Sequence, residues 1–373
     1  MTRPRSQFNP DYAQAPGTYL GEVLGDRGIR KTDFATRCGR PTKTISEIIG
    51  GKTAILPDTA LQFERVLGDL NAALWLRLEA DYQLFQARER EREGLARRRD
   101  WANKFPIFDM RRKGYIGDTR DTSDLVLSLL NFFGVSSVDA WEDYWHSRVT
   151  AARFKNAGRT AYDPFAVAAW LQRGDTEAAE LDCAVFSELK LKENLEKIRA
   201  LTLRRWPSYR EELVGLLSQA GVSIAFVPDL HKLNLRGAAY WAAKDRAVII
   251  LSDRLKREHK FWFALAHEIM HILLHSKKAL FIDFGGNSDH DSQSEEEREA
   301  DEAAANFLIP TSAIREFVRR YGNVFNSYSE TAIRSFAKEI GVSPALLLAR
   351  LQKDELVAWR TRLNTSFEDK FAF

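Results

Sequence analysis

Over most of this chain apolar residues recur at three- and four-residue steps, and over one short part they run in β-branched stretches instead. The first pattern predicts helices and the second strands. From Thr18 to Gly68 short amphipathic segments alternate with Gly-containing turns. Pro57 opens a longer helical pattern, PDTALQFERVLGDLNAALWLRLEADYQLFQAR, which runs into RERERE at 88–93, a solvated helical face. Gly94 and the RRRD after it predict a joint near 94–105, with Arg97-Arg98-Arg99 as a hydrated linker. Residues 106 to about 205 look helical, through SDLVLSLLNFFG, SVDAWEDYWHSRV, DPFAVAAWLQRGDTEAAE and FSELKLKENLEKIRAL. Their aromatic residues, Trp141, Trp145 and Trp170 among them, are expected in a core.

Then the period changes. VSIAFVPDL (222–230) and RAVIILSD (246–253) read as strands, and LRGAAYWAAKD between them can add a further strand and a turn. A polar, Gly-containing loop, FIDFGGNSDHDSQS, separates the helical run FWFALAHEIMHILLH from a second helix, EEEREADEAAANFLIP, that ends at Pro310. The tail to about Leu363 is helical again. The predicted class is mainly α with a small β-sheet, α+β. Four regions are expected: 16–95, a helical module with a trailing helix; 106–205, a helical middle; 206–310, the part with the strands; and 311–373, a helical C-terminal segment.

Composition changes this picture little. Hydrophobic residues are 45% and charged residues 29%, as in a globular chain. A net charge of +3, from 55 basic and 52 acidic residues, gives no global case for nucleic-acid binding, so a basic surface must be local. The two cysteines, Cys38 and Cys183, are far apart and form neither a metal-type cluster nor a disulfide framework, which fits a reducing cytoplasm. The first residues, MTRPRSQFNPDYAQAPG, have no apolar core of signal-peptide length. No run of about 18 apolar residues occurs, so no membrane span is expected.

Candidate chemistry concentrates in AHEIMH. The chain has 7 histidines, and three lie between 267 and 275. Two His four apart project from one helical face, one turn apart, and both rings can reach a single Zn2+. His267 and His271 are therefore candidate ligands. Glu268, beside the first, cannot join them but can reach water polarised by the ion and take its proton as it attacks a carbonyl. His275 is two turns on, about 12 Å along the axis, and is expected to pack or hydrogen-bond. A catalytic zinc takes three protein ligands and keeps one open position. Glu297 is the candidate third ligand. It shares a helical face with Asp301, which can accept the N–H of a ligating His, and Ala300 leaves room beside them. Glu296, Glu299, Asp301 itself and His290 are the alternatives.

AHEIMHILLH followed by EREADEAAANFLIP resembles the ImmA/IrrE metallopeptidases, which pair a gluzincin-like HExxH with a downstream E-x-x-A-[DN]-x-F-A-x-x-L-L-x-P helix. Ala303 stands where that family commonly has Phe, a packing position. The resemblance covers about 210–360 and extends to GAAYW…AVIILSD. It implies a zincin-like metallopeptidase core with His267, His271 and Glu297 as zinc ligands, Glu268 as base and Asp301 behind a ligand. It also implies that AVIILS borders the cleft, where an edge strand would hold an extended peptide. Tyr240 or Trp241 would then line the site, with Tyr240 a candidate oxyanion stabiliser.

KTDFATRCGRPTKTISEIIGGK (31–52) has the cadence of a helix-turn-helix. Ala35 is small where helices cross, Gly39 makes the turn, Pro41 suits the first turn of the second helix, and Ile45 and Ile48 anchor that helix. Thr42, Lys43 and Glu47 then face outward where base edges are met, and Lys31 and Lys52 can meet phosphates. Residues 16–70 resemble the HigA-type antitoxins of the XRE (lambda-repressor-like) class, with Lys31 where Gln is frequent and Gly50-Gly51 where a polar residue then Gly is usual. That resemblance implies a homodimer on a palindromic operator in double-stranded DNA. Two functions follow. In one, a DNA-binding regulator carries a zinc endopeptidase that cuts a protein partner or repressor. In the other, an antitoxin or repressor, paired with a toxin, uses the zinc fold as a sensor or scaffold without proteolysis.

Overall fold

The computed structural model describes residues 14–150, 152–155, 162–231, 233–277, 279–284, 294–322, 328–367 and 370–371. The helices are α1 (Pro16–Asp26), α2 (Lys31–Arg37), α3 (Thr42–Ile49), α4 (Pro57–Leu67), α5 (Ala72–Ala96), α6 (Arg99–Ala102), α7 (Ile107–Arg112), α8 (Thr122–Phe133), α9 (Val138–Trp141), α10 (Ser147–Thr150), α11 (Pro164–Ala179), α12 (Glu188–Ala200) and α13 (Arg210–Ser218), then α14 (Glu258–Leu274), α15 (Glu295–Leu308), α16 (Thr311–Tyr321), α17 (Glu330–Glu339), α18 (Pro344–Lys353) and α19 (Leu363–Ser366). The strands are β1 (Arg153–Lys155), β2 (Val222–Phe226), β3 (Leu235–Ala243), β4 (Arg246–Leu251) and β5 (Phe281–Phe284). The class is α+β. The chain divides into two compact units, one running to Arg99 with Arg120–Val126 added, the other formed by Asp100–Thr119 and the chain from Leu127 on.

The first unit is built on an all-hydrophobic core in which Leu20, Phe34, Ile45, Ala60, Phe63 and Trp75 are fully buried. Gly39, with φ +66°, turns the chain from α2 towards α3, a left-handed conformation that costs glycine little. Gly17 lets α1 lie directly on α3, since a Cβ there would sit 1.7 Å from the Ile48 carbonyl oxygen. Two expectations need correcting here. Pro41 caps α3 from outside, with ψ 140°, and is not in its first turn. The long helical pattern from Pro57 is two helices, because Gly68 adopts φ +82° after α4 and the Asn71 side chain accepts the Leu74 N–H to start α5. The RERERE stretch is exposed.

The second unit centres on a five-stranded sheet in the order β1-β5-β3-β4-β2. β3 runs antiparallel to both β4 and β5, while the β2–β4 and β1–β5 pairs are parallel. Helices cover both faces. On one face α14 packs with β2 and β4 side chains in the largest apolar cluster. On the other, α11 crosses so closely that a Cβ at Gly174 would come 2.1 Å from the Ile250 side chain, and the Trp170 indole donates to the Val227 carbonyl at 3.1 Å. Burial on both faces is why VSIAF, apart from Ser223, and AVIIL are apolar throughout rather than alternating. Trp141, Trp145 and Trp170 are buried, as their aromatic surroundings suggested. Three expectations fail. FIDF is a strand, not part of a loop, and a short strand also lies within the middle region, at 153–155. AVIILS is not an edge strand: β4 is paired on both sides, and the sheet edges are β1 and β2.

Candidate metal centre

α14 places His267, Glu268 and His271 in the interior, at 1%, 1% and 2% exposure, against the first turns of α15. The Ser294 side chain caps α15 by accepting the Glu297 N–H, which sets the helix phase that turns Glu297 inward. Its carboxylate lies 3.2 Å from Nε2 of His267 through one oxygen and 3.4 Å from Nε2 of His271 through the other. The two Nε2 atoms are 2.9 Å apart. Three ligands bound at 2.0–2.1 Å with tetrahedral angles stand about 3.3 Å from one another, so this triangle is close to the spacing one zinc requires. His267, His271 and Glu297 also form the group of three potential ligands found among the described residues. The donor set therefore fits a zinc ion.

Behind the rings lies a second layer. Asp301 brings Oδ1 to 2.9 Å from Nδ1 of His267. Nδ1 of His271 faces Nδ1 of His275 at 2.9 Å, and Nε2 of His275 faces the Glu299 carboxylate at 3.2 Å. One proton arrangement satisfies this chain with Nε2 of His271 left as a lone pair: His271 donates through Nδ1 to His275, which donates through Nε2 to Glu299. The His271 ring also stacks on Phe281 of β5, with centroids 4.0 Å apart and planes 15° from parallel. Burial pushes the His271 pKa down to about 4, with Glu297 opposing and the other two histidines adding to the shift. Burial alone would raise the Glu297 carboxyl, but the His267 and His271 rings set against it outweigh that and hold its pKa below the usual range. At neutral pH the cluster thus offers an unprotonated His271 imidazole and an anionic Glu297 carboxylate, the state in which these groups can bind a divalent cation.

Among the other acids weighed for the third position, Asp301 faces the back of His267 and Glu299 pairs with His275 at the surface. Glu296 is half-buried. His290 lies outside the described residues. The expectation for Tyr240 is corrected. Side chains alternate along β3, so Gly237, Ala239 and Trp241 face α14 while Tyr240 faces α11, where its hydroxyl bonds Asp175 and its ring lies under Arg148. Trp241, on the α14 face, packs edge-to-face on Phe186 with centroids 4.6 Å apart and carries Lys277 over its ring.

Two residues of the site were missed. Gly237 clears the space for the Glu268 carboxylate: a Cβ there would meet Oε1 at 2.5 Å. A glycine inside the apolar run LRGAAYW was the available signal. Asp283 pairs with Gly237 across β3 and β5 and is buried at 6% exposure, bringing a further carboxylate to that face of the sheet. Taking FIDF as loop hid it.

In the first unit Lys31, Thr42, Lys43 and Lys52 are exposed, and Glu47 is half-buried with its carboxylate 3.9 Å from Lys43. Thr42, Lys43 and Glu47 all lie on α3, opposite its buried Ile45 and Ile48.

The chain resembles known proteins over both units. Residues 218–352 match the family model Peptidase_M78, described as an IrrE N-terminal-like domain, which makes this part metallopeptidase-like. Over 70 residues the chain is 35% identical to virulence-associated protein A of Dichelobacter nodosus, a stretch covering 18% of this chain and 69% of that protein. Solved structures it is similar to include a putative antidote protein of a plasmid maintenance system from Nostoc punctiforme, at 30% identity, and a HigA-family addiction module antidote protein from Coxiella burnetii, at 26%. Each covers 22% of this chain and 89% of its own length, with a TM-score of 0.21. The chain belongs to the XRE, HigA-like helix-turn-helix proteins that are joined to an ImmA/IrrE-type, Peptidase_M78 domain.

Proposed function

We propose that this protein is a DNA-binding regulator whose ImmA/IrrE-type domain is a zinc endopeptidase acting on a protein partner or repressor. The reading rests chiefly on one observation: three potential ligand atoms from two helices meet within 4.8 Å in the interior, next to a buried glutamate. His267, His271 and Glu297 hold the ion, and Asp301 and His275 orient the two rings. Zinc held there supplies Lewis-acid polarisation of water and of a peptide carbonyl. Glu268 takes the proton of the attacking water and passes it to the departing amide nitrogen. Gly237 keeps the space in which that carboxylate works.

The helix-turn-helix unit meets operator DNA with Thr42, Lys43 and Glu47 at base edges and Lys31 and Lys52 at phosphates, as a homodimer on a two-fold site. The regions 16–95, 106–205, 206–310 and 311–373 remain the proposed division of labour, and the cytoplasm the proposed compartment. Among the described residues no helix is long and apolar enough to cross a membrane.

Glu268→Gln tests the catalytic reading. The variant should keep wild-type zinc content and lose partner cleavage by about a hundredfold or more. Cleavage at the wild-type rate by a zinc-loaded Glu268→Gln protein rules the mechanism out. A variant that still performs every regulatory task in cells identifies a repressor or antitoxin that uses the zinc fold as a scaffold.

A further inference from the structure

Asp283 on β5 is a buried carboxylate without a partner of its own. It is 6% exposed, its Oδ1 is shielded from solvent, and among the described residues no hydrogen bond or ion pair engages that oxygen. Register fixes where it points. Asp283 pairs with Gly237 and Phe281 with Ala239, so both β5 side chains lie on the α14 face of the sheet. The Phe281 ring accordingly stacks on His271, with centroids 4.0 Å apart. Gly237 has no side chain to stand between Asp283 and Glu268, and a Cβ there would come 2.5 Å from Oε1 of Glu268. Paired Cα atoms in an antiparallel ladder are about 5 Å apart, so one strand spacing separates Asp283 from the residue against which Glu268 lies. Asp283 is outside the group of three potential ligands, and it is no more enclosed than they are.

We propose that Asp283 selects the substrate of this centre by receiving the side-chain ammonium or guanidinium of a lysine or arginine beside the scissile bond. The inference rests on the reading of the metal centre as a peptidase and names the substrate class that centre prefers. A carboxylate taken out of water without a partner is costly and adds nothing to the stability of the fold. A cation brought by a ligand removes that cost when it binds and forms a charge-assisted hydrogen bond. A neutral residue in the same place leaves the carboxylate unpaired and an acidic one opposes it, so one group discriminates among substrates. Buried carboxylates serve peptidases in this way at the base of pockets that select basic residues. The place of Asp283, one strand away from Glu268 and outside the ligand triad, suits a neighbouring side chain of the substrate rather than the carbonyl under attack.

The test needs no turnover. Isothermal titration of the full-length, zinc-loaded protein compares the hydroxamates of Nα-acetyl-lysine and Nα-acetyl-norleucine, which share a metal-binding group and differ in side-chain charge. The lysine compound should bind at least about tenfold more tightly, as expected of a hydrogen bond to a charged group. Asp283→Asn should erase that difference while keeping wild-type zinc content and wild-type affinity for the norleucine compound, and Asp283→Glu should retain a preference for lysine. Asp283→Asn should also melt no lower than the wild type, because no partner is lost. The proposal is overturned if neither compound binds at millimolar concentration, if the two bind alike, or if the preference survives Asp283→Asn. It is equally overturned if that variant loses zinc, which would make Asp283 part of the metal centre, or melts clearly lower, which would give it a structural partner. A free α-amine that improves norleucine hydroxamate as much as the lysine side chain does would also overturn it, by assigning Asp283 to a substrate N-terminus. Digestion of a proteome-derived peptide mixture then separates the two readings. Discrimination between the hydroxamates without cleavage of any peptide would reject the peptidase and keep the cation subsite, and cleavage without a basic residue enriched at a fixed position would do the reverse.

Discussion

In the first unit Leu20, Phe34, Ile45, Phe63 and Trp75 fill a core with no buried charge among them, and Lys31, Thr42, Lys43 and Lys52 stand in solvent. In the second, His267, Glu268, His271 and Glu297 are 1–3% exposed and share the interior with Leu265, Ile269 and Phe261. The first arrangement separates folding from candidate function, since the core is complete without the exposed residues. The second makes them one problem. A buried polar group costs free energy unless its partner is present, so each candidate ligand depends on the others and on an ion. Changes at the metal centre should therefore register in stability, and changes on α3 should not.

The largest expected effect is that of Glu297→Ala. The wild type should carry one equivalent of zinc and the variant less than about a tenth of that by elemental analysis. Metal bound only by the folded state adds about 4 kcal/mol at a thousandfold excess over Kd. Added zinc should accordingly raise the melting temperature of the wild type and leave that of the variant where it was. Full zinc retention by Glu297→Ala would weaken the contrast between the units, because the ion would then not depend on the buried Glu297 carboxylate.

Acid should separate the units next. The pKa of His271 is held near 4, below its ordinary value of 6.5, and that of Glu297 is also held below the usual carboxylate range. For a group with a depressed pKa the unfolded chain binds the proton first. His271 therefore contributes stability that is complete above 6.5 and is lost as pH falls towards 4, and Glu297 adds a loss of the same sign below about 4.5. Residues 16–96 contain no histidine. In chelated protein, amide exchange corrected for its intrinsic pH dependence should rise in α14 and α15 between pH 7 and 5.5 and stay constant in α1–α4. Equal change in both sets would mean that the buried imidazoles do not govern the response.

Much of this site was legible because its chemistry lies within helices. The four-residue spacing of His267 and His271 and that of Glu297 and Asp301 are local facts, and helical geometry converts them into shared faces. The helix-turn-helix was legible for the same reason, with Gly39, Ile45 and Ile48 at fixed offsets. What failed was non-local. The place of β4 in the sheet depends on β2 and β3 pairing on either side of it, and AVIILS has the same composition at an edge or in the interior. FIDF is four residues beside a polar stretch, and it becomes a strand by pairing with β3 more than 35 residues earlier. The sequence alone leaves the phase of β3 unset, so it offers both Tyr240 and Trp241 to the site. Gly237 sets it, since the glycine must face Glu268 and its third neighbour must then face away. The break at Gly68 and Asn71 was local and readable, but the continuing apolar period outweighed the stop and start signals.

Gly17→Ala tests the other half of the contrast, that the first unit depends on backbone packing rather than on its polar residues. The added methyl collides with the Ile48 carbonyl, so α1 must move away from α3. Overpacking of this kind costs about 1–3 kcal/mol. Denaturant unfolding followed by exchange in α1 and α3 should show that loss, with zinc content unchanged. A neutral result would mean that α1 and α3 can part without cost.

The smallest stability effect, and the sharpest separation, is expected for Lys43→Ala. Lys43 is exposed, and its pairing with Glu47 at 3.9 Å on the surface of α3 is worth little. Its removal should change stability by less than about 0.5 kcal/mol. At the proposed DNA surface the same change should cost about 1–3 kcal/mol and relax the preference for the operator over unrelated duplex, because a base-edge contact is lost. Lys31→Ala and Lys52→Ala, placed at phosphates, should weaken operator and unrelated duplex alike and each lower the salt dependence by about one counterion. Fluorescence anisotropy at two salt concentrations, alongside thermal melts, separates the two kinds of lysine. Uniform weakening by Lys43→Ala would move it from base edge to phosphate. Unchanged binding by all three would mean that DNA meets another face of the unit.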